Sequence, residues 1–389
     1  MSDPADQPDD QPADQPDDPV PHAPADLEAR LAPLRARIDH LDARLVQLVN
    51  ERAALAVEIG RLKRQAGGLA APVYVPHRER AVLAKIRGLN HGPLPDGSLE
   101  AIWREIMSGS VRLQTPLRVA YLGPDGSFSH AAALGKFGAS VQYVTSADIA
   151  GVFETVERGH ADHGVVPVEN RLHGGVAETL DAFQETSARL CGEALVAVHH
   201  YCMTRAGAWA DVRVVATKPE VLAQCRRWLS GAAAGKEVRP VASTSAAAEL
   251  AAADPTVAAI AGRLAAEIYD VPILFDRIED RPDNLTRFLV LGRAPAGRTG
   301  DDKTGILFVT GHQPGALAEV LSAFQASGVN LTDIEKRPGR RGAWEYAFYV
   351  DAVGHAEDPP VAAAIEAARR HCVQLVVLGS YPRATESLP

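Results

Sequence analysis

The sequence predicts a multidomain chain: an all-α domain over 26–115, an α/β domain over 116–295 and a ferredoxin-like α+β domain over 303–384, with a tail at 1–25 in front. Three observations predict it. Apolar residues step by three and four through Leu31, Leu34, Ile38, Leu41, Leu45, Leu48, Leu55, Ile59 and Leu62, the period of a long amphipathic helix. From Thr115-Pro116 onward, short apolar runs at 117–122, 164–168 and 212–217 alternate with helix-like sequence, which implies a parallel-sheet α/β domain. After a polar, glycine-rich linker near 294–302, the order becomes strand, helix, strand, strand, helix, strand.

Composition sets the outer limits. A chain of 389 residues exceeds one ordinary core, and 46% hydrophobic with 23% charged residues is the balance of a globular protein. No uninterrupted run of about 18 apolar residues is present to span a bilayer, so no membrane partner is expected. The net charge of -9 is concentrated at the start: residues 1–26 hold eight of the 49 acids and no Lys or Arg, leaving 41 acids against 40 bases. That near-neutral remainder argues against a nucleic-acid partner. Residues 1–25 repeat Asp, Pro and Gln and cannot bury enough surface to order themselves, so they read as a disordered tail. They have neither the basic start nor the apolar stretch of a signal peptide. Cys191, Cys202, Cys225 and Cys372 show no CxxC or metal-ligand spacing, which fits reduced thiols in a cytoplasmic protein. No metal or cofactor is expected, and the His199-His200 pair reads as structural.

The first element is a helix from about Leu31, with Pro33 in its first turn and Gly67-Gly68 at its end, about 33 residues or ~50 Å. Two shorter helices follow near 77–89 and 98–114. Arg52 falls on the apolar seam of the long helix and requires an anionic partner. Lys63, eleven residues on, is about 20° off the same face and ~16 Å along the axis, so both side chains can reach one small anion. Arg35 is about 25 Å from Arg52 and turned by ~100°, so one straight helix cannot aim both at one ligand. Ser110 and Gln114 share a helix face, and Arg78 and Glu79 head the middle helix.

With these residues in place, the stretches LRARIDHLDARLVQLVNERAALAVEIGRLK, HRERAVL and SGSVRLQ resemble the all-helical chorismate mutase family over about 26–115. The resemblance implies that Arg35 and Arg52 hold the two substrate carboxylates, Lys63 and Gln114 donate to the ether oxygen, and Glu79 accepts from the ring hydroxyl. Arg78 and Ser110 match further binding positions. Val75 stands where many members carry Asp, so position 75 is left out of the site. The rearrangement of chorismate to prephenate uses no nucleophile or proton shuttle; catalysis means holding the substrate and stabilising charge.

In the middle domain, the turn from Gly123 to His130 opens a helix with Ser127 as its N-cap and offers free N–H groups to an anion. Further polar turns lie at Glu169-Asn170 and at Ser243-Thr244-Ser245, where strand ends present ligand sites in open α/β sheets. YLGPDGSFSHAAA, GVVPVEN and NLTRFLVLG together resemble the prephenate dehydratase family over about 116–293. That resemblance implies two lobes around a cleft, Thr286 helping to expel the ring hydroxyl as carbon dioxide leaves, and Arg287 binding or positioning a carboxylate. Ser127, Asn170, Ser243 and Thr244 complete the expected binding set. Arg171 departs from the pattern, since the family continues with Ser or Thr there.

Residues 303–383 resemble an ACT domain of the phenylalanine-responsive type, with Gly315-Ala316-Leu317 at a helix start and Glu335-Lys336-Arg337-Pro338 after the second strand. Gly315, Ala316, Leu317 and Glu335 are the expected effector site, although Lys336 replaces the usual Ser. Together the resemblances imply a homodimer or higher homo-oligomer that turns chorismate into prephenate and prephenate into phenylpyruvate under phenylalanine control. The alternative is a working mutase whose middle domain, altered at Arg171, is a non-catalytic binding module.

Overall fold

The computed structural model describes residues 24–67, 75–339 and 345–388, and the chain divides into two compact units, Met1–Leu55 and Ala56–Pro389. Helix α1 runs Pro24–Gly67, starting a full two turns before the expected position at Leu31 because Ala and Glu at 25–29 are good helix formers. Residues 1–23 of the expected tail, and Gly68 of the expected stop, lie outside the described residues. In the first unit, Leu34, Ile38, Leu41, Leu45 and Leu48 are 52–58% exposed, so the apolar seam read from the sequence is an uncovered stripe. Among the described residues no helix is long and apolar enough to cross a membrane.

In the second unit, helices α2 (Pro76–Leu89) and α3 (Asp96–Gln114) fall where the periodicity puts them. Pro76 sits at the first position of α2, where its missing N–H costs nothing. Gln114, at the end of α3, lies against the last turns of α1: a Cβ on Gly60 would stand 2.7 Å from Gln114 Cγ, and Arg64 Nη1 donates to the Gln114 carbonyl at 2.8 Å.

The α/β domain has two lobes. The first contains β1 (Arg118–Leu122), α4 (Phe128–Phe137), β2 (Gln142–Ser146), α5 (Ile149–Glu157), β3 (His163–Asn170), β4 (Gly174–Gly175), α6 (Ala177–Ala182) and β5 (Arg189–Ala197). The second contains β6 (Tyr201–Thr204), β7 (Val214–Thr217), α7 (Pro219–Gln224), α8 (Arg226–Ser230), β8 (Glu237–Pro240), α9 (Thr244–Ala253), β9 (Val257–Ala261), α10 (Arg263–Ile268) and β10 (Ile273–Phe275), in the sheet order β10-β6-β9-β7-β8. The chain then returns to the first lobe as β11 (Leu285–Gly292).

The expected parallel pairing is present, joined by antiparallel strands that the sequence did not show. β2, β1 and β3 are parallel, but β11 enters between β3 and β5 antiparallel to both, because it comes back from the second lobe in the reverse direction. In the second sheet β7 is parallel to β8 and β9, while β6 runs against β9 and β10. The two crossings between lobes are tied together: Ile278 N–H donates to the His200 carbonyl at 2.9 Å, and Glu279 accepts from the His200 N–H at 3.0 Å and pairs with His199 Nδ1 at 2.7 Å.

The C-terminal domain follows the expected order: β12 (Asp302–Thr310), α11 (Ala316–Ala326), β13 (Leu331–Pro338), β14 (Tyr346–Val353), α12 (Pro359–Arg369) and β15 (Gln374–Pro382), with sheet order β13-β14-β12-β15. A last strand, β16 (Ser387–Leu388), joins the edge of the first lobe's sheet beside β5. One face of the four-stranded sheet carries α11 and α12; the other shares a core with the first lobe, in which Leu190, Leu289 and Leu291 pack with Leu307, Tyr349, Leu378 and Tyr381. Two glycines paired in register, Gly305 and Gly379, make room for Leu190: a Cβ on Gly379 would lie 2.2 Å from the Leu190 carbonyl oxygen, and one on Gly305 2.6 Å from its Cδ1. Gly379 also has φ +153°, a conformation that side chains resist.

Candidate active sites and effector site

The N-terminal candidate residues lie on three helices. In the first unit Arg35 pairs with Glu28 on an exposed stretch of α1 (2.5 Å), and Arg52 lies 17 residues further along the same helix. In the second unit Lys63 occupies the last turns of α1, and Arg78 and Glu79 lie in the first turn of α2. Ser110 is buried on α3 and donates to the Ile106 carbonyl at 2.7 Å; the Gln114 amide is 3.4 Å from the Ser110 carbonyl. The Glu79 carboxylate, mostly buried, is held at 3.4 Å by Lys136 of α4, a residue of the next domain that sequence reasoning did not single out.

At the ends of β3 and β11, Asn170 and Thr286 are register partners. The Asn170 amide is fixed from both sides. Its nitrogen donates to Thr286 Oγ1 at 2.8 Å and Asn284 Oδ1 at 3.1 Å, while its oxygen accepts from the Leu172 N–H at 3.0 Å and lies 2.9 Å from His173 Nδ1. Because the Thr286 hydroxyl accepts from Asn170, and has no other hydrogen-bond partner among the described residues, its own proton is left for a ligand. His173 was missed by sequence reasoning; a ring two residues past an altered motif gives no separate signal.

Two helix starts come together where Gly126 meets Ser245. Ser127 caps α4, accepting from the His130 N–H at 3.2 Å and donating to the Leu122 carbonyl at 3.1 Å. Ser243 caps α9 through the Ala246 N–H at 3.0 Å, with Thr244 buried in its first turn. Ser245, the last residue of that polar turn, is fully buried, its hydroxyl has no partner among the described residues, and a Cβ on Gly126 would lie 3.4 Å from it. Asp125 accepts from both Tyr121 and Thr145 (3.0 Å from the latter). The Tyr121 hydrogen bond holds the Asp125 carboxyl below the usual range, while burial and Asp125 push the Tyr121 phenol up to about 12.

Two further residues have other settings. The Arg171 guanidinium is 57% exposed and turned toward Asp283, 3.4 Å from the backbone carbonyl and 3.9 Å from the carboxylate. Arg287 does not face Thr286's ligand space, because neighbouring residues of a strand point to opposite sides. It is buried against the C-terminal domain among Glu193, Asp333, Asp351 and Tyr381.

In that domain Gly315 has φ +86° and caps α11, with Ala316 buried and Leu317 packed on the domain core, so the expected helix start lies at these residues. Glu335 is engaged elsewhere. It lies on β13 against the β3–β4 hairpin, where a Cβ on Gly175 would stand 2.6 Å from its carboxylate oxygen.

Three helices that carry the cationic candidates, a two-lobed α/β domain with a positioned hydroxyl and a ferredoxin-like module sharing its core define a multidomain small-molecule enzyme with an attached regulatory-type domain. Family models match in the same order: chorismate mutase type II over 34–115, prephenate dehydratase over 119–296 and the ACT domain over 305–370. The bifunctional chorismate mutase/prephenate dehydratase of Pseudomonas aeruginosa is 44% identical over 91% of this chain and 98% of its own length. Among solved structures, the prephenate dehydratase of Arthrobacter aurescens in complex with L-Phe is 35% identical with a TM-score of 0.65, covering 70% of this chain and 92% of that one. The structure of GqqA, described as a quorum-quenching acylase, is 28% identical with a TM-score of 0.63, covering 69% and 98%. The chain belongs to the bifunctional chorismate mutase/prephenate dehydratase family.

Proposed function

We infer that this chain converts chorismate to prephenate in its helical domain and prephenate to phenylpyruvate in its two-lobed domain, with phenylalanine as effector of the C-terminal domain. The observation that carries the dehydratase reading is the Asn170–Thr286 pair. Loss of the ring hydroxyl as carbon dioxide departs needs a donor at the leaving oxygen, and a threonine that accepts from a fixed amide presents its proton outward. Ser127, Ser243, Thr244 and the N–H groups of α4 and α9 supply an environment for the substrate's carboxylates. The outward turn of Arg171 supports this reading over that of a binding module.

In the mutase, Arg35, Arg52, Arg78 and Ser110 bind the dianion, Lys63 and Gln114 stabilise charge on the ether oxygen, and Glu79 accepts from the ring hydroxyl. The uncovered apolar stripe of α1 argues for a homo-oligomer in which a second copy covers it and contributes its Arg35 to the neighbouring site. Phenylalanine binds at Gly315, Ala316 and Leu317, where a helix start favours its carboxylate, and slows the dehydratase. The test is to incubate the purified chain with chorismate and follow both products. Prephenate followed by phenylpyruvate is expected; prephenate alone would leave the middle domain a binding module.

A further inference from the structure

Arg287 is one residue from Thr286, yet its side chain, 8% exposed, is spent on the other face of the sheet. Nε donates to Glu193 at 2.6 Å; Nη2 donates to the Tyr381 hydroxyl at 2.9 Å and pairs with Asp351; Nη1 is 3.4 Å from Asp333 and 3.9 Å from Glu169. Glu193 also binds Lys303 at 3.0 Å. The guanidinium is thus ringed by acids of this chain, and its Nε, Nη1 and Nη2 each donate to one of these partners. Burial opposes the charge, but Tyr381, Asp351, Tyr349 and Glu193 together hold it firmly protonated.

Three of these partners belong to the C-terminal domain: Asp333 on β13, Asp351 on β14 and Tyr381 on β15. β13 makes two more contacts on the same face at every second residue. Glu335 covers Gly175, the register partner of Glu169, and Arg337 forks onto Asp181 of α6 with two bonds of 2.7 Å. The edge strand of the regulatory sheet therefore grips the strand of Thr286, the hairpin that follows Asn170 and the helix behind that hairpin.

We propose that Arg287 is a positioning residue through which the C-terminal domain sets the Asn170–Thr286 pair, and that β13 carries the effector's influence to the cleft. This rests on the dehydratase reading above and extends it. Binding at the start of α11 shifts the sheet that holds Asp333, Asp351 and Tyr381; Arg287 passes the shift to β11, and Thr286 moves relative to Asn170.

The experiment uses the full-length chain carrying Arg287→Lys or Tyr381→Phe, with prephenate kinetics measured with and without phenylalanine and chorismate consumption as the control for folding. Lysine keeps the charge but loses the planar fork. The expected result for Arg287→Lys is a kcat for phenylpyruvate formation lowered by ~10-fold, KM changed by less than about twofold, and a flattened response to phenylalanine. Tyr381→Phe, a conservative change outside the dehydratase domain, moves kcat and the phenylalanine response the same way by a smaller factor. A rise in KM of ~10-fold in Arg287→Lys with kcat and the response unchanged makes Arg287 a substrate ligand and overturns the proposal. Wild-type behaviour of Tyr381→Phe overturns the link. Should the wild type form no phenylpyruvate, the dehydratase reading fails separately. The link is then decided by amide exchange at 170–175, where a phenylalanine-induced change present in wild type and absent in Tyr381→Phe supports it and no change in either overturns it.

Discussion

The Asn170 amide has both its ends committed, so its orientation is set by the fold and with it the direction of the Thr286 hydroxyl. Replacing Thr286 by the near-isosteric Val should lower phenylpyruvate formation by ~100-fold while chorismate consumption stays near wild type, as separate assays of the two steps will register. Asp333 gives a pH-dependent prediction. Burial, then Asp351 and Glu169, push its carboxyl up to about 6 from an ordinary 3.8, with Arg287 opposing and Glu335 adding to the rise. The folded state therefore holds this proton more tightly than the unfolded chain, so the contribution to stability is present below about pH 4 and is lost as pH rises through 6. Asp333→Asn should raise unfolding stability at pH 8 by on the order of 2 kcal/mol and leave it unchanged near pH 4, measured by denaturant melts at the two pH values. Thr286 and Asn170 were legible in the sequence because each sits in a short motif at a strand end. The setting of Arg287 was not: Glu193, Asp351 and Tyr381 stand far from it along the chain and meet only in the folded sheet.

At the scale of elements, periodicity gave α2, α3 and the whole order of the C-terminal domain within a few residues. It missed the direction of β11, since an apolar run reads the same whether its neighbours are parallel or antiparallel; only the position of its two connections decides that. It also treated 294–302 as a spacer between independent domains. Instead Leu190 enters the regulatory sheet between Gly305 and Gly379, so the two sheets share one core. Gly379→Ala should therefore be costly out of proportion to one methyl group. A Cβ 2.2 Å from a backbone oxygen forces β15 off β5, and the expected outcome is a loss of several degrees in Tm and a weakened phenylalanine response.

At the scale of the whole molecule, the proposed homo-oligomer rests on the exposed stripe of α1 and the 17-residue gap between Arg35 and Arg52. Mixing Arg35→Ala with Arg52→Ala protein should restore part of the mutase activity that each lacks, through hybrid sites formed on subunit exchange; no recovery despite demonstrated exchange would remove the shared-site assignment. The second lobe has its own consequence, in the order of assembly. Ala197 and Leu285 are register partners of an antiparallel pair, so β5 and β11 make a hairpin whose loop is residues 198–284, 87 residues (284 − 197). Closing a loop of that length as free coil costs about 3 kcal/mol more than closing a four-residue turn. The second lobe avoids that cost by bringing its own ends together, with Val198 N–H donating to the Asn284 carbonyl at 2.9 Å. The strand that carries Thr286 is thus best added after its insertion has folded, and damage deep in the second lobe will delay the completion of the first.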